Sequence, residues 1–396
     1  MTAGASDPDG DLAPLAGLLR QVRDLKRVRD NRSPRSLAER GFARAWARLA
    51  DGEDPEAVAL SETAAAVAAA RLAGLDAETM RAHGLTADQA EGALGAAFDD
   101  LAGPVDAGFH GRLRSTLGTV ATGLPPTDAE PPFVDALVRQ PRAGATHPGL
   151  PRRVLEPAES HGDHCFAVAV FGVLAAPRFG ADPASVFLTG LAHHLFNTTL
   201  PDAGYAGDEL VGEGPLATMM ASATEQALDQ LDGRLRARVE EALATTTPER
   251  FETAEAQAFH AADVLDRVLE MEWHQTAARF GLADALGRDT DAGQLDICHP
   301  GFYQAFQQDV LRRAGVWEAG PGSRAAAVGT DRQRPASASV EGAGEGTESP
   351  SGSYEAGGHG AVPAESPLAG GPGGEDGRVL ADGTEVAHLE RREMGS

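Results

Sequence analysis

Two apolar segments near the middle of the chain constrain its fold most strongly. In the first, from about His161 to Ala176, large apolar side chains recur every three to four residues, as on one buried helix face. Pro177 is predicted to end this helix. The second segment begins at Asp182-Pro183, an N-cap followed by proline at the first helical position, and its apolar stripe runs to Leu195. The chain is therefore predicted to bury both helices.

Three histidines lie on these apolar helices. His164 is in the first segment, and His193 and His194 are adjacent at the far end of the second. Each nitrogen of a buried imidazole needs a partner, and a metal ion can supply one. A single histidine such as His164 is more commonly a hydrogen-bonded core or surface residue. An adjacent pair behind a second helical histidine favours a metal site.

A fourth candidate ligand, Asp263, interrupts a later helical pattern that continues to His274. Asp266 lies on a neighbouring face of the same predicted helix. A carboxylate on the apolar side of a helix is costly to bury alone, so it needs a metal or a cationic partner. The alternative to ligation is an N-cap or a salt bridge to Arg267 or Arg234.

These residues carry a resemblance to a known family. A histidine, a histidine doublet about thirty residues later and an aspartate some seventy residues after that, all on helices, resemble the HD-domain superfamily of metal-dependent phosphohydrolases, in particular its nucleotidase-like branch. The three segments that resemble family motifs are AESHGDHCFAVAV, LAHHLFNTTLPD and FHAADVLDRVLE. By position, His164 matches the first ligand, His193 the histidine of the doublet, and Asp263 the last ligand. The resemblance covers roughly residues 150 to 315.

Two positions depart from the family pattern. His194 stands where the family has the aspartate of its doublet, and Asn197 stands where nucleotidase-like members carry a catalytic glutamate. A neutral imidazole binds Mn, Fe, Co, Ni or Zn but cannot bridge two metals as a carboxylate does. The prediction is one divalent ion held by His164, His193, His194 and Asp263. Asn197 could orient a water but cannot act as a general base, which leaves Asp202 as the residual acid or base.

Charge and composition limit the partners and the compartment. A net charge of −25 argues against nucleic acid or an anionic membrane as a partner, since either needs a basic footprint. The longest apolar run, from Cys165 to Ala176, is too short to span a bilayer. The two cysteines, Cys165 and Cys298, are too few for a disulfide framework, and no apolar run follows Met1. The expected compartment is the cytoplasm.

The predicted fold class is all-α, with an HD-domain helical bundle preceded by a smaller all-helical domain. The predicted domain ranges are 1–122 for the accessory domain, 123–150 for a proline-rich linker, 151–318 for the metal-binding domain and 319–396 for a disordered tail rich in Gly, Ser, Pro, Ala and Glu. The sequence leaves open whether copies of the chain associate as a homo-oligomer.

Two functions from different classes fit these features. The first is a metal-dependent phosphohydrolase that acts on a small phosphorylated molecule, for which the resemblance suggests a nucleotide. The second is a catalytically degenerate module of the same fold that serves as a metal or nucleotide sensor or as a scaffold. His194 and Asn197 are the residues that discriminate between them, because fold analogy alone does not establish activity.

Overall fold

The computed structural model describes residues 11–122, 130–144, 152 and 154–277. Helices account for nearly all regular structure there, and these residues contain no β-strand, which confirms the all-α prediction for this part of the chain. The α-helices are α1 (Ala16–Arg23), α2 (Leu37–Ala50), α3 (Pro55–Leu72), α4 (Ala77–Ala82), α5 (Ala87–Leu101), α6 (Ala107–Thr122), α7 (Pro132–Arg139), α8 (His161–Phe179), α9 (Pro183–Ala192), α10 (Gly204–Val211), α11 (Glu213–Leu228), α12 (Gly233–Ala244) and α13 (Ala254–Ala277). Short 3-10 turns lie at Ala13–Leu15, Asp24–Lys26, Leu195–Thr198 and Pro248–Arg250.

Helix α8 is the centre of the fold. Its first sixteen residues are all buried, and it packs against α9 and α13 and also against α2 and α7. A helix that is apolar on all sides is stable only when neighbours cover every face. Helices α2, α3, α7, α9 and α13 therefore cover α8, whose first turn carries His161 and His164.

Local sequence signals explain where α8 and α9 begin. Ser160 and Asp163 form a capping box, in which each side chain accepts a hydrogen bond from the backbone N–H of the other residue. Asp182 caps α9 by accepting from Ser185 N, with Pro183 at the first helical position as predicted. These caps fix the starts of both histidine-bearing helices.

Pro177 does not end α8, so that prediction is wrong by one turn. The helix continues to Phe179, and Gly180 closes it in the left-handed conformation at φ 69°, donating its N–H to Ala176 O. Proline lacks its own N–H donor and its ring crowds the carbonyl four residues earlier, which weakens the last turn, but the reversal of the chain comes only at a residue free to adopt positive φ.

Two other segments contain helices that the sequence pattern did not predict. Within the proline-rich range 123–150, α7 buries Phe133, Val134 and Leu137. In the glycine-rich stretch after the histidine doublet, α10 forms. Proline at the first helical position and the burial of three apolar side chains account for α7, whereas α10 buries no residue and has no side-chain cap.

One hydrophobic core contains residues from both predicted domains and from the range between them. Trp46 of α2 contacts Phe133 of α7 edge-to-face, with ring centroids 4.9 Å apart, and the ring of Phe166 in α8 lies against Gly41 of α2. The division at 122 and 151 stays a prediction. The tail from 319 and the C-terminal part of the predicted metal-binding domain lie outside the described residues.

The described part of the chain has no membrane-spanning helix. Among the described helices, none combines the length and the apolar character that crossing a bilayer requires.

Candidate metal centre

Three helices bring the predicted ligands together. α8 carries His164 near its N-terminus, the C-terminal end of α9 presents His193, and α13 contributes Asp263 from the opposite side. His164 and Asp263 have no measurable exposure, and the side chain of His193 is 7% exposed. The site is thus buried between helices rather than displayed on a loop.

The ligand atoms of these residues form a small triangle. His164 Nε2 lies 3.1 Å from His193 Nε2 and 3.1 Å from Asp263 Oδ1, and His193 Nε2 lies 4.0 Å from Asp263 Oδ1. Metal–ligand bonds of about 2.0–2.2 Å place neighbouring ligands at roughly these separations. The triangle therefore has the size of a metal coordination face.

Hydrogen bonds on the far side of each imidazole fix its tautomer. His164 Nδ1 lies 2.8 Å from Asp266 Oδ2, and His193 Nδ1 lies 2.8 Å from Gly190 O. A carboxylate and a carbonyl only accept, so both imidazoles donate from Nδ1. Both Nε2 atoms therefore direct lone pairs toward each other and toward Asp263. Metal-binding histidines are held by carboxylates or carbonyls in this way.

Burial keeps these imidazoles neutral. Desolvation, with Arg142 as a further cause, lowers the pKa of His164 to about 3. Desolvation and the neighbouring His164 lower the pKa of His193 to about 3. At neutral pH neither Nε2 atom therefore carries a proton that could form a hydrogen bond to the other. A bound cation would stabilise the arrangement.

His194 lies beside this triangle with its polar atoms already engaged. One of its nitrogens is within 4.8 Å of ligand atoms of His164 and His193. Its Nδ1 lies 2.9 Å from Asn197 Oδ1, and its Nε2 accepts from Arg142 Nη1 at 3.2 Å. His194 is therefore near enough to ligate, but its lone pair faces a guanidinium. Its place as fourth ligand stays a prediction.

Asn197 and Asp202 lie on the His194 side of the site. Asn197 is buried, and its Nδ2 donates to Leu200 O while its Oδ1 faces His194, so it orients that ring. Asp202 accepts from the backbone N–H of Ala143 and of Gly204, at 2.9 Å each. Burial alone would raise the pKa of Asp202. Arg142 and these two hydrogen bonds lower the pKa by more than burial raises it, so the net shift is downward. The catalytic roles predicted for both residues are not tested by this geometry.

The charged environment includes residues that sequence reasoning missed. Arg142 comes from the proline-rich range and carries no local motif. His161 stands three residues before His164, a helical spacing that a search for paired histidines would have found. The Nε2 atom of His161 is buried and lies 3.7 Å from Asp202 Oδ2. Burial lowers the pKa of His161 to about 4. Lys26 is the only lysine of the chain, and it too lies beside this site.

For Asp263 the structure contains the salt bridge that was the alternative to ligation, while ligation stays a prediction. Its Oδ1 faces the two histidines and also lies 3.4 Å from Arg267 Nε, the salt bridge given as the alternative to ligation. Asp266 points inward as well, toward His164. Aspartates three residues apart share one helix face, so α13 presents an acidic stripe to α8.

Gly190 sets the separation of the two histidine-bearing helices. A Cβ on Gly190 would lie 2.6 Å from Ala169 Cα and 2.7 Å from Ala169 N, so α8 and α9 touch backbone to backbone there. We expect Gly190→Ala to lower the free energy of unfolding by about 1–3 kcal/mol through overpacking. Thermal denaturation measures this loss. The control is Gly17→Ala in α1, where nothing lies within 4 Å; equal stability of the two variants would contradict the close contact.

Comparison with known proteins gives no match. No protein-family model matches the chain. No curated protein and no solved structure matches it either. The likeness to the HD-domain superfamily therefore stays a prediction based on its three motifs.

Proposed function

We propose that this protein is a metal-dependent phosphohydrolase that acts on a small phosphorylated compound, with nucleotides as the first class to test. One observation carries the proposal. Lone pairs of His164 Nε2, His193 Nε2 and Asp263 Oδ1 converge within 3.1 to 4.0 Å of one another, while both imidazoles donate from Nδ1 on their far sides. Such convergence is unfavourable for neutral rings without a cation between them.

The donor set suits one divalent transition metal. Two imidazoles and one carboxylate bind Mn, Fe, Co, Ni or Zn and leave coordination positions for water and substrate. Such an ion, when bound, polarises a phosphoryl oxygen and lowers the pKa of a water molecule. His194 joins as fourth ligand only if Arg142 turns away from its Nε2.

Arg142 is the candidate for binding the phosphoryl group. Its guanidinium is 17% exposed and lies 3.2 Å from His194 Nε2, with its Nε 3.6 Å from Glu159 Oε2. A guanidinium offers several donors in a plane and binds phosphate oxygens in pairs. At this position it would hold the substrate's charge next to the proposed ion.

Asp202 is the candidate proton acceptor. Because its pKa is lowered, Asp202 is ionised at neutral pH and has no proton to give, so any role in proton transfer is that of a weak base. Its side chain is 22% exposed and its oxygens are fixed by two backbone N–H groups. A carboxylate held in this way keeps its position when water or substrate approaches.

The degenerate module remains the second candidate, and one observation favours it. The lone pair of His194 accepts from Arg142, so the residue at the position of the doublet aspartate is engaged by a cation instead of being turned toward the ligand triangle. A site arranged in this way could retain an ion without turnover. A sensor or scaffold would need no more than that.

Hydrolysis assays separate these two candidates. We expect metal-stripped protein reconstituted with Mn²⁺, Co²⁺ or Zn²⁺ to hydrolyse at least one nucleoside monophosphate or a generic phosphate ester, and a chelator to abolish the activity. Arg142→Gln should raise KM, since it removes the charge that would bind the phosphoryl group while His164, His193 and Asp263 stay in place. Metal binding without hydrolysis of any substrate in the panel would favour the module, and absence of both would refute the proposal.

A further inference from the structure

The 3-10 turn Asp24–Lys26 places the chain's only lysine under the candidate metal centre. The side chain of Lys26 is 2% exposed, and its ammonium meets carboxylates from two other parts of the fold. Nζ lies 2.7 Å from Asp266 and 3.6 Å from Glu270 on α13, and it also contacts Glu159, which precedes α8. Apart from histidines, all other basic residues of the sequence are arginines.

One of these carboxylates connects Lys26 to the proposed ligands. Asp266 Oδ2 accepts from Lys26 Nζ at 2.7 Å and from His164 Nδ1 at 2.8 Å. Nζ also lies 2.7 Å from Asp266 Oδ1, so the ammonium contacts both oxygens of the carboxylate that His164 meets through Oδ2. The ammonium therefore determines where the carboxylate stands, and the carboxylate determines which nitrogen of His164 carries the proton.

The choice of lysine follows from the directions of the three carboxylates. An ammonium offers three donors in tetrahedral directions on a flexible stem, while a guanidinium offers its donors in one plane. Glu159, Asp266 and Glu270 approach from different segments. Burial lowers the pKa of Lys26, but these carboxylates raise it more strongly, so it stays charged.

We propose that Lys26 is a positioning residue for the metal centre, which acts through Asp266 to orient His164 and to keep its Nε2 lone pair directed at the ion. This inference rests on the cation site of the proposed function. Glu159, His164 and Asp266 could also form a ligand group by their spacing, but the ammonium of Lys26 already contacts both carboxylates of that group. The position of the ammonium thus directs an incoming ion to the other face of His164.

Electrostatics and positioning predict opposite results when Lys26 is replaced. Removal of a positive charge near a cation site should tighten cation binding if charge alone matters. Loss of the orienting contact should weaken it, since changes to groups behind metal ligands typically cost about 10- to 100-fold in affinity. The direction of the change therefore identifies the role.

The test is a Co²⁺ titration of metal-stripped full-length protein, together with ¹⁵N NMR of the His164 ring before metal is added. We expect Lys26→Met to weaken Co²⁺ binding by about 10- to 100-fold and Lys26→Arg by a smaller factor. In the wild type, NMR should report the Nδ1–H tautomer of His164, and both variants should lose that single state. The arginine variant keeps the charge and serves where the methionine variant does not fold.

Arg48→Met is the matched control for the loss of a buried cation. Arg48 is also 2% exposed at its side chain and is paired with Glu53 and Glu62, away from the histidines. The Arg48→Met variant should be less stable than the wild type but keep the wild-type Co²⁺ affinity and the wild-type NMR signals of His164. Unchanged or tighter Co²⁺ binding in both Lys26 variants would overturn the positioning role, as would an unchanged His164 tautomer. If the wild type binds no Co²⁺, the proposed function fails, while the NMR comparison still decides the role of Lys26.

Discussion

His164→Ala and Asp263→Asn proteins are expected to lose the bound metal. Each change removes one of three converging ligands, and the remaining two do not hold an ion in a defined geometry. Changes behind metal ligands already cost about 10- to 100-fold in affinity, so removal of a ligand should cost more. Hydrolysis should fall to the level of the metal-stripped wild type. Elemental analysis of the purified variants and a rate assay with excess metal measure both effects.

The control for these variants is His83→Ala. His83 is an exposed histidine at the end of α4 and has no part in the triangle. It should keep both metal content and activity. Wild-type metal content in the His164 and Asp263 variants would show that the ion, if present, is bound elsewhere.

The double substitution His194→Asp with Asn197→Glu is expected to lower hydrolysis by about ten- to a hundredfold, the range seen when groups around a metal are disturbed. Asn197 is 4% exposed and its Nδ2 donates to Leu200 O, so a glutamate there would set a buried carboxylate against a carbonyl. An aspartate at 194 would pair with Arg142 and withdraw it from the substrate. Steady-state kinetics with the reconstituted metal measures the change.

The same double variant also tests the alternative function. If the natural protein is a degenerate module, the restored carboxylates should raise hydrolysis, and a general base typically contributes about a hundred- to ten-thousand-fold. Asn197→Gln, which adds no charge, controls for disturbed packing. An unchanged rate in a folded, metal-bearing double variant would mean that the reactive centre lies elsewhere.

Sequence patterns predicted the parts of the site that lie on strongly periodic helices. The apolar spacing of both segments and the cap at Asp182 located α8 and α9, so the sequence placed His164 and His193 on buried helices. Asp263 stood out because a carboxylate interrupts an apolar face. These inferences need only local information, because capping and helical periodicity are local properties.

Contacts between distant segments could not be predicted in the same way. Lys26 lies 240 positions before Asp266, and no pattern within either segment indicates that they meet. Arg142 is in the range predicted as a proline-rich linker, and the packing of α7 against α8 and the backbone hydrogen bond from Arg142 N to Glu159 O bring it to His194. The direction of the Asp266 side chain also depends on how α13 is rotated about its axis against α8. The apolar repeat of the sequence does not determine that rotation closely enough to tell Asp266 from a residue on the neighbouring face.

Anomalous X-ray scattering from a crystal of the protein reconstituted with Co²⁺ or Zn²⁺, measured at the absorption edge of the metal, tests directly whether His164, His193 and Asp263 bind an ion. We expect one strong peak at about 2.0–2.2 Å from His164 Nε2, His193 Nε2 and Asp263 Oδ1. A peak bound to other residues, two peaks of equal occupancy in this site, or no peak between these three atoms would contradict the proposed metal site.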